Sequence, residues 1–92
     1  MKLSKPIEAH GQTVTELTFR EPNGGDLARN GFIYKVESTG NKVIDTRAIA
    51  GMISDMASIP PSSVAQMSVI DFSRAMGEVV GFFTDAETPS TS

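Results

Sequence analysis

Proline and glycine cut this chain at two places that no regular element can cross. Pro22-Asn23-Gly24-Gly25 closes the N-terminal block, and Ile59-Pro60-Pro61 closes a second one. Proline lacks the amide that a ladder or a helix interior needs, while Asn-Gly-Gly supplies flexible turn residues. Three blocks remain, each to be read by its own periodicity.

In the first block Leu3, Lys5 and Ile7 alternate with Lys2, Ser4 and Pro6, and Pro6 is acceptable only on an edge strand. His10-Gly11 then sits where a two-residue hairpin turn requires φ > 0. Thr13 to Phe19 reads as the returning strand, with Leu17 and Phe19 on one face. Val14 falls on the other face, so either a bulge intervenes or Val14 points outward. An isolated hairpin is marginal in water, so the hairpin over residues 2–20 must pack Leu3, Ile7, Leu17 and Phe19 on helices.

In the second block Asp26 is read as a helix N-cap, opening Asp26-Leu27-Ala28-Arg29. Residues 30–42 stay open between helix and strand, because Gly31 weakens a helix and Phe32-Ile33-Tyr34-Lys35-Val36 has strand composition. Ser38 to Lys42 is a turn. Ile49, Met52, Ile53 and Met56 recur at i, i+3, i+4, i+7, the pattern of an amphipathic helix.

In the third block Ser62 to Met67 makes one or two helical turns, and Ser68 with Asp71 imitates a capping box at the start of the last helix. Val69, Phe72, Met76, Val79, Val80 and Phe83 form its apolar stripe, and Ile70 and Phe82 lie off it. The expected class is α+β: an N-terminal β-hairpin packed on a small bundle of three to four helices. One domain spans 1–83, with the helical part at 26–83 and a disordered tail at 84–92.

Ninety-two residues support one modest core. The chain has no cysteine, so neither disulfides nor thiolate metal sites contribute, which fits synthesis in a reducing compartment. There is no apolar leader and no apolar run long enough to span a bilayer, so the expectation is a soluble protein of the cytoplasm with no membrane partner. A net charge of -3 disfavours nucleic-acid binding and points to a protein partner.

The chemistry-bearing residues are sparse. His10 is a single histidine beside a turn glycine, so neither a histidine metal site nor a Ser-His-Asp triad can be built without it, and it reads as a turn residue. No serine has a nucleophile-elbow context. Asp71, Arg74 and Glu78 read as solvated helix ion pairs. Gly24-Gly25 leads to Asp26 rather than to the Lys-Ser/Thr of a phosphate loop, and its charge would repel a phosphate. Arg20 is then a strand-end arginine that bonds helix-end carbonyls or a carboxylate. No catalytic residue, cofactor or metal is expected.

The order LSKPI, G-x-x-V-T-E-L-T-F-R-E-P, D-L, an Ile-Pro break and a last helix ending GFF resembles the small tail assembly chaperones of Mu-type and related contractile-tailed bacteriophages. The motif residues are Leu17, Arg20, Glu21, Pro22, Asp26 and Leu27. The resemblance implies a noncatalytic role in virion morphogenesis in the host cytoplasm, and absence from the mature virion. It implies that the chain coats the tape measure protein and promotes tail tube assembly, with a frameshift-extended form meeting the tube protein. A tape measure chaperone needs apolar surface beyond its own core, and the candidates are Ile70, Phe82, Met52 and Met56, with self-association also open. Core packing is the competing reading of the methionines. A small structural virion protein, a connector or stabiliser, is the alternative function. A helix-turn-helix regulator built on residues 47–57 and 68–83 is the second, against which the acidic balance and the scarcity of Lys and Arg in the last helix argue.

Overall fold

The computed structural model describes residues 1–87, with side chains through residue 84. Strands β1 (Lys2–Ala9) and β2 (Gln12–Glu16) form an antiparallel hairpin. Helix α1 (Gly24–Asn30) follows, then a second small hairpin, β3 (Tyr34–Val36) and β4 (Lys42–Ile44). Helices α2 (Thr46–Ala57), α3 (Pro61–Ala65) and α4 (Val69–Glu87) complete the α+β fold. Residues 30–42 are thus divided between the end of α1, β3, a turn and the first residue of β4. Helix α4 continues to Glu87, into the span where the sequence reading begins the tail, and residues 88–92 lie outside the described residues.

Both residues of the first turn, His10 (φ 54°) and Gly11 (φ 75°), have the positive φ that matches the right-handed twist of the flanking strands. The His10 ring reaches further, with Nε2 3.2 Å from the carbonyl oxygen of Ser58 at the left-handed cap of α2. The ladder pairs Ile7 with Val14 but Lys2 with Glu16, so β1 carries extra residues between them. The irregularity lies in β1, around Pro6, where a missing amide does least harm. Val14 faces the core beside Ile7, and Leu17 lies beyond the end of β2, released from its alternation.

The outward edge of β1 is closed by side chains of α3 and α4. Asp71 accepts the amides of Ser4 (2.8 and 3.0 Å) and Lys5 (3.1 Å), and Arg74 donates to the Lys2 carbonyl (2.8 Å). Gln66 accepts the Glu8 amide (2.8 Å), and the Ser63 hydroxyl donates to the Glu8 carbonyl. Asp71 is therefore fully buried, not the solvated partner of Arg74 alone that the sequence spacing implies.

Helix α2 is the centre of the core: Ile49, Met52 and Ile53 are fully buried, and Met56 nearly so. Asp45 caps its N-terminus by accepting the amides of Arg47 and Ala48. Ile7, Leu17, Ile33, Val64, Ala75 and Val79 pack around it. On α4 the buried line is Asp71, Ala75, Val79 and Phe83, flanked by half-buried Phe72, Met76 and Val80. Val69, expected on the apolar stripe, is 82% exposed, because the inward face is set by Asp71 reaching β1.

Candidate functional site

The stretch from Arg20 to Leu27 builds one wall of an apolar cleft. Asn23, not Asp26, is the N-cap of α1: its side chain accepts the Asp26 amide (3.0 Å), and Asp26 accepts the Asn23 amide (2.9 Å) in return. Asp26 stands at the third helical position and closes a reciprocal capping box. Arg20 meets its carboxylate bidentately at 2.8 Å on each oxygen, and Arg29 adds a contact at 2.7 Å. The Arg20 hydrogen bonds, the Asn23 amide and the charges of Arg20 and Arg29 together outweigh desolvation and hold the Asp26 carboxyl down at about 2. The same arginine donates to the Glu21 carbonyl (2.9 Å), and its own amide donates to Met56 at the end of α2 (3.0 Å). Arg20, Glu21 and Asp26 thereby lock the corner onto the core, while Leu17 is buried within it.

Pro22, Asn23, Gly24 and Leu27 face across the cleft to Phe32, Phe82 and Phe83, enclosing about 350 Å³. Phe32 is 47% exposed, with its ring 5.8 Å from Phe83 in an edge-on arrangement and 6.0 Å from Tyr34. Beyond Phe82 the cleft opens on a shallow notch at Gly77, Glu78 and Gly81, two glycines that leave the α4 surface low. A second apolar area lies at the other end of α4, where Val69 and Ile70 are exposed beside a groove of about 470 Å³ lined by Ala50, Val64, Met67, Phe72 and Met76.

The sequence candidates therefore separate. Phe82 lines the first cleft together with the motif residues Pro22 and Leu27. Ile70 is 68% exposed but sits twelve residues earlier on α4, about 18 Å along the helix axis. Met52 and Met56 are core residues and present nothing to a partner, so the core reading of both replaces their candidacy as contacts. Phe32 was missed, since the strand composition around it gave no reason to single out one ring.

Among the described residues no helix is long and apolar enough to cross a membrane. The fold and its motif corner define a small α+β protein with an open apolar cleft. A family model described as phage tail assembly chaperone proteins, E, or 41 or 14, matches residues 1–84. The chain belongs to this family of phage tail assembly chaperones. Searches of curated proteins and of solved structures gave no significant match.

Proposed function

We propose that the chain binds an apolar helical face of the tape measure protein and keeps it soluble while tail tube subunits assemble around it, without catalysis, in the host cytoplasm. The observation that carries this reading is the cleft between α1 and α4, where Phe32 and Phe82 stay at the surface beside Pro22 and Leu27. An amphipathic helix laid in such a groove buries its apolar side at anchors spaced i, i+3, i+4. Ile70 and Val69 extend the contact along a long helix, and a frameshift-extended form would bring in the tube protein.

Coexpression with the tape measure protein of the same genome tests it. The expected result is a soluble complex that Phe82→Ala and Ile70→Asp each weaken without unfolding the chaperone. A tape measure protein that stays soluble and uncomplexed beside this chain would overturn it. Mass spectrometry of mature particles separates this role from that of a connector or stabiliser, since a chaperone is absent from them.

A further inference from the structure

The two hairpins differ in how their edges are treated. Along β1, side chains of α3, of its C-cap Gln66 and of α4 meet the outward backbone groups of Lys2, Ser4, Lys5 and Glu8. On β3, among the described residues, no side chain meets the outward backbone groups in this way. The bonds from the Asp45 amide to Ile33 (2.7 Å) and from the Glu37 amide to Asn41 (2.9 Å) set the phase of the β3–β4 ladder. Residues 33, 35 and 37 turn their amides and carbonyls toward β4, so Tyr34 and Val36 turn theirs away. No strand among the described residues lies on that side, and Val36 is 70% exposed.

An open strand edge is a template for another strand. Two copies of β3 can meet antiparallel about Tyr34, Lys35 or Val36. Centring on Tyr34 sets Lys35 against Ile33, which is fully buried and out of reach. Centring on Lys35 sets lysine against lysine. Centring on Val36 lets the two Val36 residues exchange both backbone bonds and places Lys35 of each copy opposite Glu37 of the other. We infer that the chain pairs with a second copy of itself through β3, in the Val36-centred register, to give a four-stranded sheet ordered β4-β3-β3-β4. Lys35, already 3.5 Å from Asp45, then lies between two carboxylates. The side that carries half-buried Tyr34 and exposed Val36 and Ile44, with Phe32 against Tyr34 and Lys42 Nζ 5.6 Å from the centre of its ring, becomes one continuous face shared by both copies. This inference does not rest on the identity of the tape measure partner, because it concerns the isolated chain.

The absence of cysteine makes a direct test available. A hydrogen-bonded antiparallel pair holds its Cα atoms about 5.5 Å apart, within disulfide range. On mild oxidation Val36→Cys is expected to give a covalent dimer, and Thr39→Cys, on the exposed turn, to remain monomeric. In sedimentation equilibrium, Lys35→Glu and Glu37→Lys are each expected to weaken self-association about tenfold. Mixed in equal amounts, the two variants present opposite charges again and regain wild-type affinity, a rescue that also shows both are folded. A wild-type chain that is monomeric up to about 1 mM overturns the inference. So does association that neither reversal weakens, or cross-linking of Thr39→Cys as fast as of Val36→Cys.

Discussion

A carboxylate removed from water costs several kcal/mol unless its oxygens are met by cations or amides, and at Asp26 both kinds of partner are present. Arg20 grips it with both nitrogens, Arg29 supplies a third bond and the Asn23 amide a fourth. Its folded value of about 2, against an ordinary 3.8, makes it a source of acid sensitivity. Stability from this group is present above pH 3.8 and is lost as pH falls toward 2. Denaturant melts between pH 6 and 2 should show that loss, and Asp26→Asn should lower stability at pH 6 while flattening the slope. Asp45 and Asp71, also held below the ordinary range by backbone amides, supply the slope that remains. Because Arg20 acts through a planar fork, Arg20→Lys should restore only part of what Arg20→Ala loses. Asn23→Ala removes the other half of the capping box and should cost about 1 kcal/mol in the same melts.

Between elements, close approach is set by single residues. Gly51 of α2 faces Asn30, the last residue of α1, so tightly that a Cβ there would overlap the Asn30 side chain. Asn30 donates to the Asp26 carbonyl (2.9 Å) and to Asp55 (2.8 Å), so moving it breaks the link between α1 and α2. Gly51→Ala should cost about 1–3 kcal/mol by urea denaturation, and less in an Asn30→Ala background where the overlap is gone. In the same way Asp71→Ala should expose the Ser4 and Lys5 amides to rapid hydrogen exchange while Ile53 in α2 stays protected. What could be read from the sequence here was local. The His10-Gly11 turn, the α2 stripe and the end of α2 before Pro60 depend on neighbours only, and each formed as read. The N-cap lies at Asn23, three residues before the Asp26 that the sequence suggests, because Asn and Asp cap equally well, and Gly24-Gly25 looks like loop until the Arg20–Asp26 pair holds it helical. The role of Asp71 was illegible because its amide partner Ser4 lies 67 residues away. The strand pair β3–β4 carried no decisive signal, since three-residue strands are too short for periodicity to speak.

For the molecule as a whole, the question is how a domain with so small a core leaves aromatic rings outside it. Helix α4 divides the work between neighbouring residues: Val79 and Phe83 point into the core, while Phe82, half-buried, forms the cleft wall against α1. The corner motif joins the two sides, because Arg20 and Asp26 fix the start of α1 and so the position of Pro22 and Leu27 across from Phe82. If the cleft is a binding surface, stability and partner retention must come apart on α4. Val79→Ala leaves a cavity in the core and should lower stability by about 2 kcal/mol. The folded fraction should still retain the tape measure protein. Phe82→Ala should cost less stability yet reduce retention at least tenfold, because the ring is only half-buried and lines the cleft rather than the core. Retention measured by pull-down at matched folded fractions, with stability from urea melts of the same preparations, compares the two variants directly. Retention that follows stability in both would place the partner elsewhere, and the exposed Val69–Ile70 end of α4 would be the next surface to mutate.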